Sequence, residues 1–156
     1  HPSQWWLRSG TQYSSSRYPG FYKKIASLQN VELVPIMTNS FELMNHSQAV
    51  ATVTGTAGWE ALLRRRPVLI FGYPWYRDCP VLFRIEGAET CKRALEKIKG
   101  GFEVQESQVI HFLKCFDEAT FHGYIESFVE RNSDISRKES LKNIFNKIVE
   151  VIPPRR

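Results

Sequence analysis

Cysteine is scarce in this chain. Cys79, Cys91 and Cys115 are the three in 156 residues, an odd number with no CxxC spacing. That pattern argues against a disulfide framework and against a zinc site, and it fits a reducing cytoplasm. An uninterrupted run of about 18 apolar residues is also missing, which argues against a membrane-spanning helix. The opening His-Pro-Ser-Gln-Trp-Trp has neither the basic start nor the apolar core of a signal peptide, and no initiator methionine stands before it. We expect the first residue to be a cut through a longer chain. Internal repeats and low-complexity tracts are absent, Ser9 to Ser16 being the loosest stretch.

What is there has the balance of a globular domain: 42% hydrophobic and 24% charged residues. Twenty-one Lys and Arg against 16 Asp and Glu leave a formal charge of +5. Such an excess suits an anionic partner, whether nucleotide diphosphate, phospholipid surface or nucleic acid, without choosing among them.

Two short apolar runs rich in β-branched residues, Ala49 to Thr54 and Pro67 to Phe71, predict strands buried on both faces, as parallel strands are. Between them lie a small-residue turn, Thr54 to Gly58, and a helical stretch from Trp59 to Arg66 that stops at Pro67. This is the order of a βαβ unit with a right-handed crossover. Upstream, the sequence predicts a helix from Tyr18 to Leu28 opened by Pro19, a strand from Val31 to Val34, and a short helix capped by Ser40 and running to Asn45. Downstream it predicts a strand from Val81 to Ile85 and a helix from Ala88 to Lys99 stopped by Gly100 and Gly101. Three more helical stretches, about 105–115, 117–131 and 137–150, lead to Pro153 and Pro154. The expected class is α/β, a parallel sheet with flanking helices.

Ligands of open parallel sheets bind beyond the carboxyl ends of the strands. The turn Thr54-Gly55-Thr56-Ala57-Gly58 sits at such an end. Its small residues let a ligand approach the backbone, and the threonine hydroxyls and following amides can donate to a phosphate. A tight turn with a threonine N-cap explains the same residues. Glu60 follows Thr56 by one helical turn and could reach a ribose diol, or merely complement the helix dipole. His1 could contact a phosphate from a loop fixed by Pro2, or be a solvated residue. His46, His111 and His122 share no metal-ligand spacing and are expected at surfaces. Phe112, Phe116, Tyr124 and Phe128 read as core. Trp5 and Trp6 suit ring stacking or domain packing, and Arg64 to Arg66 suit a solvated helix end.

The stretch Asn45 to Leu62 (NHSQAVATVTGTAGWEAL), followed by Arg66 to Gly72 (RPVLIFG), resembles the nucleotide-binding C-terminal domain of bacterial capsule polysaccharide biosynthesis proteins. That group includes Kdo transferases of capsule and lipid-linked glycan assembly. His1-Pro2 looks like the family's histidine-proline motif, and the likeness covers roughly residues 1–87. The resemblance implies a Rossmann-like domain forming the C-terminal half of a GT-B glycosyltransferase. Residues 1–100 would hold the nucleotide sugar, and 101–156 would be a helical extension packed on the same domain. It points to His1, Pro2, Thr54, Gly55, Thr56, Ala57 and Glu60 as the donor-nucleotide site, the donor being a CMP-sugar such as CMP-Kdo. The general base would lie in an N-terminal domain, so no catalytic residue is expected in this chain, which alone would be inactive.

No cofactor and no metal are implied. The partners implied are the nucleotide-sugar donor and a lipid-linked or glycan acceptor, with no nucleic acid. The expected location is cytoplasmic, with peripheral attachment to the inner face of the cytoplasmic membrane. Two alternatives stay open: a nucleotide-sugar epimerase of the same fold, and a non-catalytic module docking on a membrane or a partner through its basic surface.

Overall fold

The apolar run after Pro67 becomes the centre of the sheet. Val68, Leu69 and Ile70 form a strand buried at every position, as expected of a strand covered on both faces. The computed structural model describes residues 20–35 and 37–152. The chain divides into two units, one ending at Ser47 and the other running from Gln48 onward.

In the first unit, helix α1 spans Phe21–Ala26 and α2 spans Ser40–His46. The first is shorter than the sequence suggests. Its last turn closes through Ser27, whose hydroxyl donates to the Lys24 carbonyl at 2.8 Å, and Asn30 at a φ of 64° turns the chain away. Tyr18 and Pro19 lie outside the described residues. The cap of α2 is Asn39 rather than Ser40. Asn39 has the extended backbone of an N-cap, and its side chain accepts from the Phe41 amide at 3.0 Å. The strand expected at Val31 to Val34 does not form: this stretch is exposed and lies in no ladder among the described residues. β-propensity without a neighbouring strand leaves backbone groups to water, so the apolar run alone is not enough.

The second unit holds the α/β part. Strand β1 (Val50–Thr52), helix α3 (Ala57–Leu63) and strand β2 (Val68–Ile70) are the βαβ series read from the sequence. Strand β3 (Phe83–Arg84) completes a three-stranded parallel sheet in the order β1-β2-β3. The register pairs Val50 with Val68, Thr52 with Ile70, and Ile70 with Arg84. β1 is only half-buried, with Ala51 exposed. It is an edge of this sheet, which corrects the expectation that both first strands are covered on both faces. Helix α3 stops at Leu63, short of the arginines. Arg65 takes the left-handed conformation at a φ of 57°, and the Arg66 amide donates back to the Ala61 carbonyl at 2.9 Å.

Helix α4 (Ala88–Lys99) matches its predicted bounds. Thr90 closes its start: its hydroxyl donates to the Gly87 carbonyl and accepts from the Glu86 and Gly87 amides. Lys97 and Lys99 stand in its last turn, and Gly101 at a φ of 88° ends it. Helix α5 (Glu106–Ala119) and helix α6 (Arg137–Val151) follow. The helix expected over 117–131 is not there. Residues 120–126 are irregular, and only a 3-10 turn, Ser127–Asn132, follows them. Among the described residues no helix is long and apolar enough to cross a membrane.

Candidate functional site

The crossover from β2 to β3, residues 71–82, contains no helix. Two tight turns fold it instead: the Arg77 amide donates to the Pro74 carbonyl and the Cys79 amide to the Tyr76 carbonyl, both at 3.0 Å. These turns bury Tyr76 to 1% exposure and Cys79 equally. Burial pushes the Cys79 thiol up, which makes it a poor nucleophile at neutral pH. All three cysteines are free thiols.

The crossover folds back on the glycine turn. The Tyr76 hydroxyl donates to the Gly55 carbonyl. Burial raises the pKa of this hydroxyl above that of an ordinary tyrosine; the Trp59 and Gly58 amides, which hydrogen-bond to it, oppose the rise, and the Glu60 carboxylate adds to it. Tyr76 therefore occupies the start of α3 and engages amides of its first turn. The turn is tied from the strand side as well, because the Gly55 amide donates to the Thr52 hydroxyl at 3.2 Å. The two glycines flanking Ala57 thus have different jobs. Gly55 belongs to the exposed turn. Gly58 is buried against Tyr76 and Thr52, where a Cβ would have no room.

Thr54, Gly55 and Thr56 are exposed, while Ala57 and Glu60 are half-buried. Thr56 holds the N-cap position of α3, yet its backbone is already helical and its side chain makes no capping bond. The cap reading of this threonine therefore fails, because a capping hydroxyl needs an extended backbone to reach the N2 or N3 amide. Glu60 stands in the first turn of α3, and its charge acts on the Tyr76 hydroxyl. So Thr54, Gly55, Thr56 and Ala57 follow the carboxyl end of β1 and Glu60 lies in the first turn of α3, while His1 and Pro2 lie outside the described residues. Tyr76 was missed by the sequence reading. A tyrosine 21 residues beyond Gly55 has no spacing rule to mark it.

Aromatic side chains surround the outer side of α3. Trp59 and Trp75 lie 4.8 Å apart between ring centroids, Trp75 and Phe116 5.0 Å, and Trp75 stacks on Phe112 at 6.3 Å. Contacts of this kind are worth about 0.5–1.5 kcal/mol each beyond area burial, and they fix α5 against α3. Phe112 and Phe116 belong to this cluster but are not core as their spacing suggested, Phe112 being half-buried and Phe116 exposed, whereas Tyr124 is buried and packs elsewhere, against α6. The histidines do local work: His46 Nδ1 lies 2.8 Å from the Glu42 carbonyl, and the His122 carbonyl accepts from Asn143. A cavity of about 960 Å³ lies at the other end of the sheet, beside Gln48, Pro67, Arg65, Lys99 and Glu106. Its lining mixes both signs, and Arg65 pairs with Glu106 there.

Removing the Tyr76 hydroxyl tests the tie. Tyr76→Phe is expected to cost about 1–3 kcal/mol, the range for losing one partner of a buried hydrogen bond. The sign with pH follows from the raised pKa. The contribution is fully present below about pH 10, where an unfolded tyrosine begins to ionise, and is lost as pH climbs through the higher folded value. Denaturant midpoints of the two proteins, compared from pH 7 to 11, should converge only at the alkaline end.

Residues 8–82 match the model of the capsule polysaccharide biosynthesis protein family. The match takes in the glycine turn, α3, β2 and the crossover, and stops before β3. Over 71 residues the chain is also 30% identical to the capsule polysaccharide modification protein LipA of Neisseria meningitidis serogroup B, 46% of this chain and 10% of that protein being covered. The chain thus spans about a tenth of the length of this relative. Together these findings support the capsule polysaccharide biosynthesis family for the chain. No solved structure matches it.

Proposed function

We propose that this chain supplies the donor-nucleotide site of a glycosyltransferase acting in capsule or surface polysaccharide biosynthesis. The donor is a nucleotide-activated sugar, a CMP-sugar such as CMP-Kdo, and the acceptor is a glycan or lipid-linked glycan. The observation that carries the reading is the exposed Thr54-Gly55-Thr56 turn at the carboxyl end of a parallel strand, with the Thr56 hydroxyl unused as a cap. Support also comes from the family match, which includes this turn. In this reading the hydroxyls of Thr54 and Thr56 hold the donor phosphate, Gly55 and Ala57 leave it room, and Glu60 accepts from the ribose hydroxyls. The reaction is displacement at the anomeric carbon: the acceptor oxygen forms the new bond and the nucleotide departs with the electron pair of the broken one. Donors aimed at the phosphate stabilise the charge that develops there. The acceptor's proton goes to a base outside this chain.

The test is a thermal-shift titration with CMP, CDP, UMP, UDP and GDP. A ligand at about 100 times its dissociation constant stabilises by about 2.7 kcal/mol. For a chain of this size that is on the order of 5–10 °C. Cytidine nucleotides should produce the shift, and Thr56→Ala or Glu60→Ala should abolish it. A preference for uridine nucleotides would instead support a UDP-sugar transferase or an epimerase of the same fold. A melting temperature unmoved by all five nucleotides would overturn the reading.

A further inference from the structure

Beside the glycine turn stands an aromatic ring that packing does not explain. Tyr73 is 81% exposed, the most exposed aromatic among the described residues. An apolar ring so fully in water is held there at a cost in hydration, and a surface tyrosine ordinarily samples several rotamers. This one is held. The Arg77 guanidinium lies over its ring, 4.4 Å from the centroid. Arg77 is in turn anchored: its side chain is 20% exposed, it reaches Glu86 at 3.4 Å, and its carbonyl accepts from Arg84 Nε at 3.1 Å. Arg84 is itself tied to Asp78 at 2.8 Å. These charges fasten one face of the crossover to β3.

The ring's position follows from Gly72. A Cβ on Gly72 would lie 2.8 Å from the Val53 carbonyl oxygen and 3.2 Å from the Thr54 methyl. The crossover therefore runs in contact with the strand end that opens the glycine turn, and Tyr73 is the next residue. Three residues further on, Tyr76 grips the Gly55 carbonyl. The exposed ring thus springs from a stretch pinned to the turn on both sides.

We propose that Tyr73 is the residue on which the base of the bound nucleotide stacks, and that Arg77 is the positioning residue that presets its ring. This rests on the reading of the glycine turn as a phosphate site. A flat exposed ring next to such a site meets the π-face that every base offers. A ring already fixed loses little freedom on binding, so more of the stacking appears as affinity. Arg77 acts on the nucleotide only through Tyr73.

The experiment is calorimetric titration of the full chain with CMP and with ribose 5-phosphate, which shares the sugar and phosphate but lacks the base. Tyr73→Ala should weaken CMP by about 5- to 100-fold and leave ribose 5-phosphate unchanged. Tyr73→Phe, which keeps the ring, should bind CMP like the parent. Arg77→Met should weaken CMP by a smaller factor, and Arg77→Lys, which keeps a cation over the ring, should restore most of it, again with ribose 5-phosphate unchanged. Because Tyr73 is exposed, its alanine variant should melt with the parent, so a loss of CMP binding is not a loss of fold. Unaltered CMP affinity in Tyr73→Ala overturns the proposal. So does an equal loss for both ligands, and so does a parent that binds ribose 5-phosphate as tightly as CMP, an outcome that leaves the phosphate site standing. A parent that binds neither ligand overturns the phosphate site itself.

Discussion

Gly58→Ala is expected to lower the stability of this protein, although alanine is the better helix former. In a helix interior the exchange alone would gain about 1 kcal/mol. Here the added Cβ would stand 2.4 Å from the Tyr76 hydroxyl oxygen, 2.8 Å from the Thr52 methyl and 3.1 Å from a Tyr76 ring carbon. None of these is the loose end of a surface side chain. Tyr76 is 1% exposed and its hydroxyl is committed to the Gly55 carbonyl. Overfilling a packed site costs about 1–3 kcal/mol, and more where the neighbours cannot move. The clash therefore wins over propensity, for a net loss of about 1–2 kcal/mol and a fall in melting temperature on the order of 2–8 °C. Gly87→Ala is the control. A Cβ there meets nothing within 4 Å, so the change should cost no more than the preference of an N-cap for Gly over Ala, about 0.5–1 kcal/mol.

The pairing with Tyr76 can be measured directly. In a Tyr76→Phe background the nearest obstacle to the new methyl is gone, so Gly58→Ala should cost less than in the parent protein. The Thr52 contact remains, so the rescue is partial. Additive costs in the double variant, or a stabilised single variant, would show that α3 has room to move off the crossover.

The packing of Gly58 also explains what the sequence could and could not disclose. Elements closed by their own neighbours were legible to the residue. Helix α4 matches its predicted bounds because Thr90, Gly87 and Gly101 cap it locally. β2 was legible because its whole length is apolar and buried. The stretch Val31 to Val34 is also mostly apolar, with Glu32 set among Val and Leu, yet a strand is made by its neighbour in the sheet. The glycine turn stands between β1 and α3 as expected, and its residues divide in a way that no local pattern marks: Gly58 is packed against Tyr76 and Thr52, while Thr54 and Thr56 are exposed. Neither Tyr76 nor the ring of Tyr73 carries a local signal. Their roles depend on a crossover that doubles back on a strand end, and no periodicity encodes that.

The helix expected over 117–131 failed for a reason that gives the second large prediction. Within residues 120–126, Tyr124 and His122 spend backbone groups on side chains of α6 instead of on a helix ladder. The Ser140 hydroxyl, on a residue with no exposure at all, donates to the Tyr124 carbonyl at 2.8 Å and accepts from the Tyr124 amide at 2.6 Å. Asn143 donates to the His122 carbonyl at 2.9 Å. Gly123 lies where a Cβ would be 3.1 Å from Ile144 and 3.0 Å from the Phe121 ring, and Tyr124 and Ser140 are buried between exposed neighbours.

Ser140→Ala would leave both polar groups of Tyr124 without a partner. At about 1–3 kcal/mol for each buried group so stranded, the expected loss is about 2–5 kcal/mol. Nothing else in the seam can replace the hydroxyl, since Asn143 is committed one turn along α6. The loss should be regional before it is global: hydrogen exchange of the amides in α6 and at Tyr124 should accelerate while those of β2 keep their protection. Uniform acceleration across β2 and α6 would mean instead that the seam and the sheet unfold as one cooperative unit. A midpoint moved by less than about 0.5 kcal/mol, the scale of an ordinary surface substitution, would mean that water reaches Tyr124 and that Ser140 is not what holds this segment out of a helix.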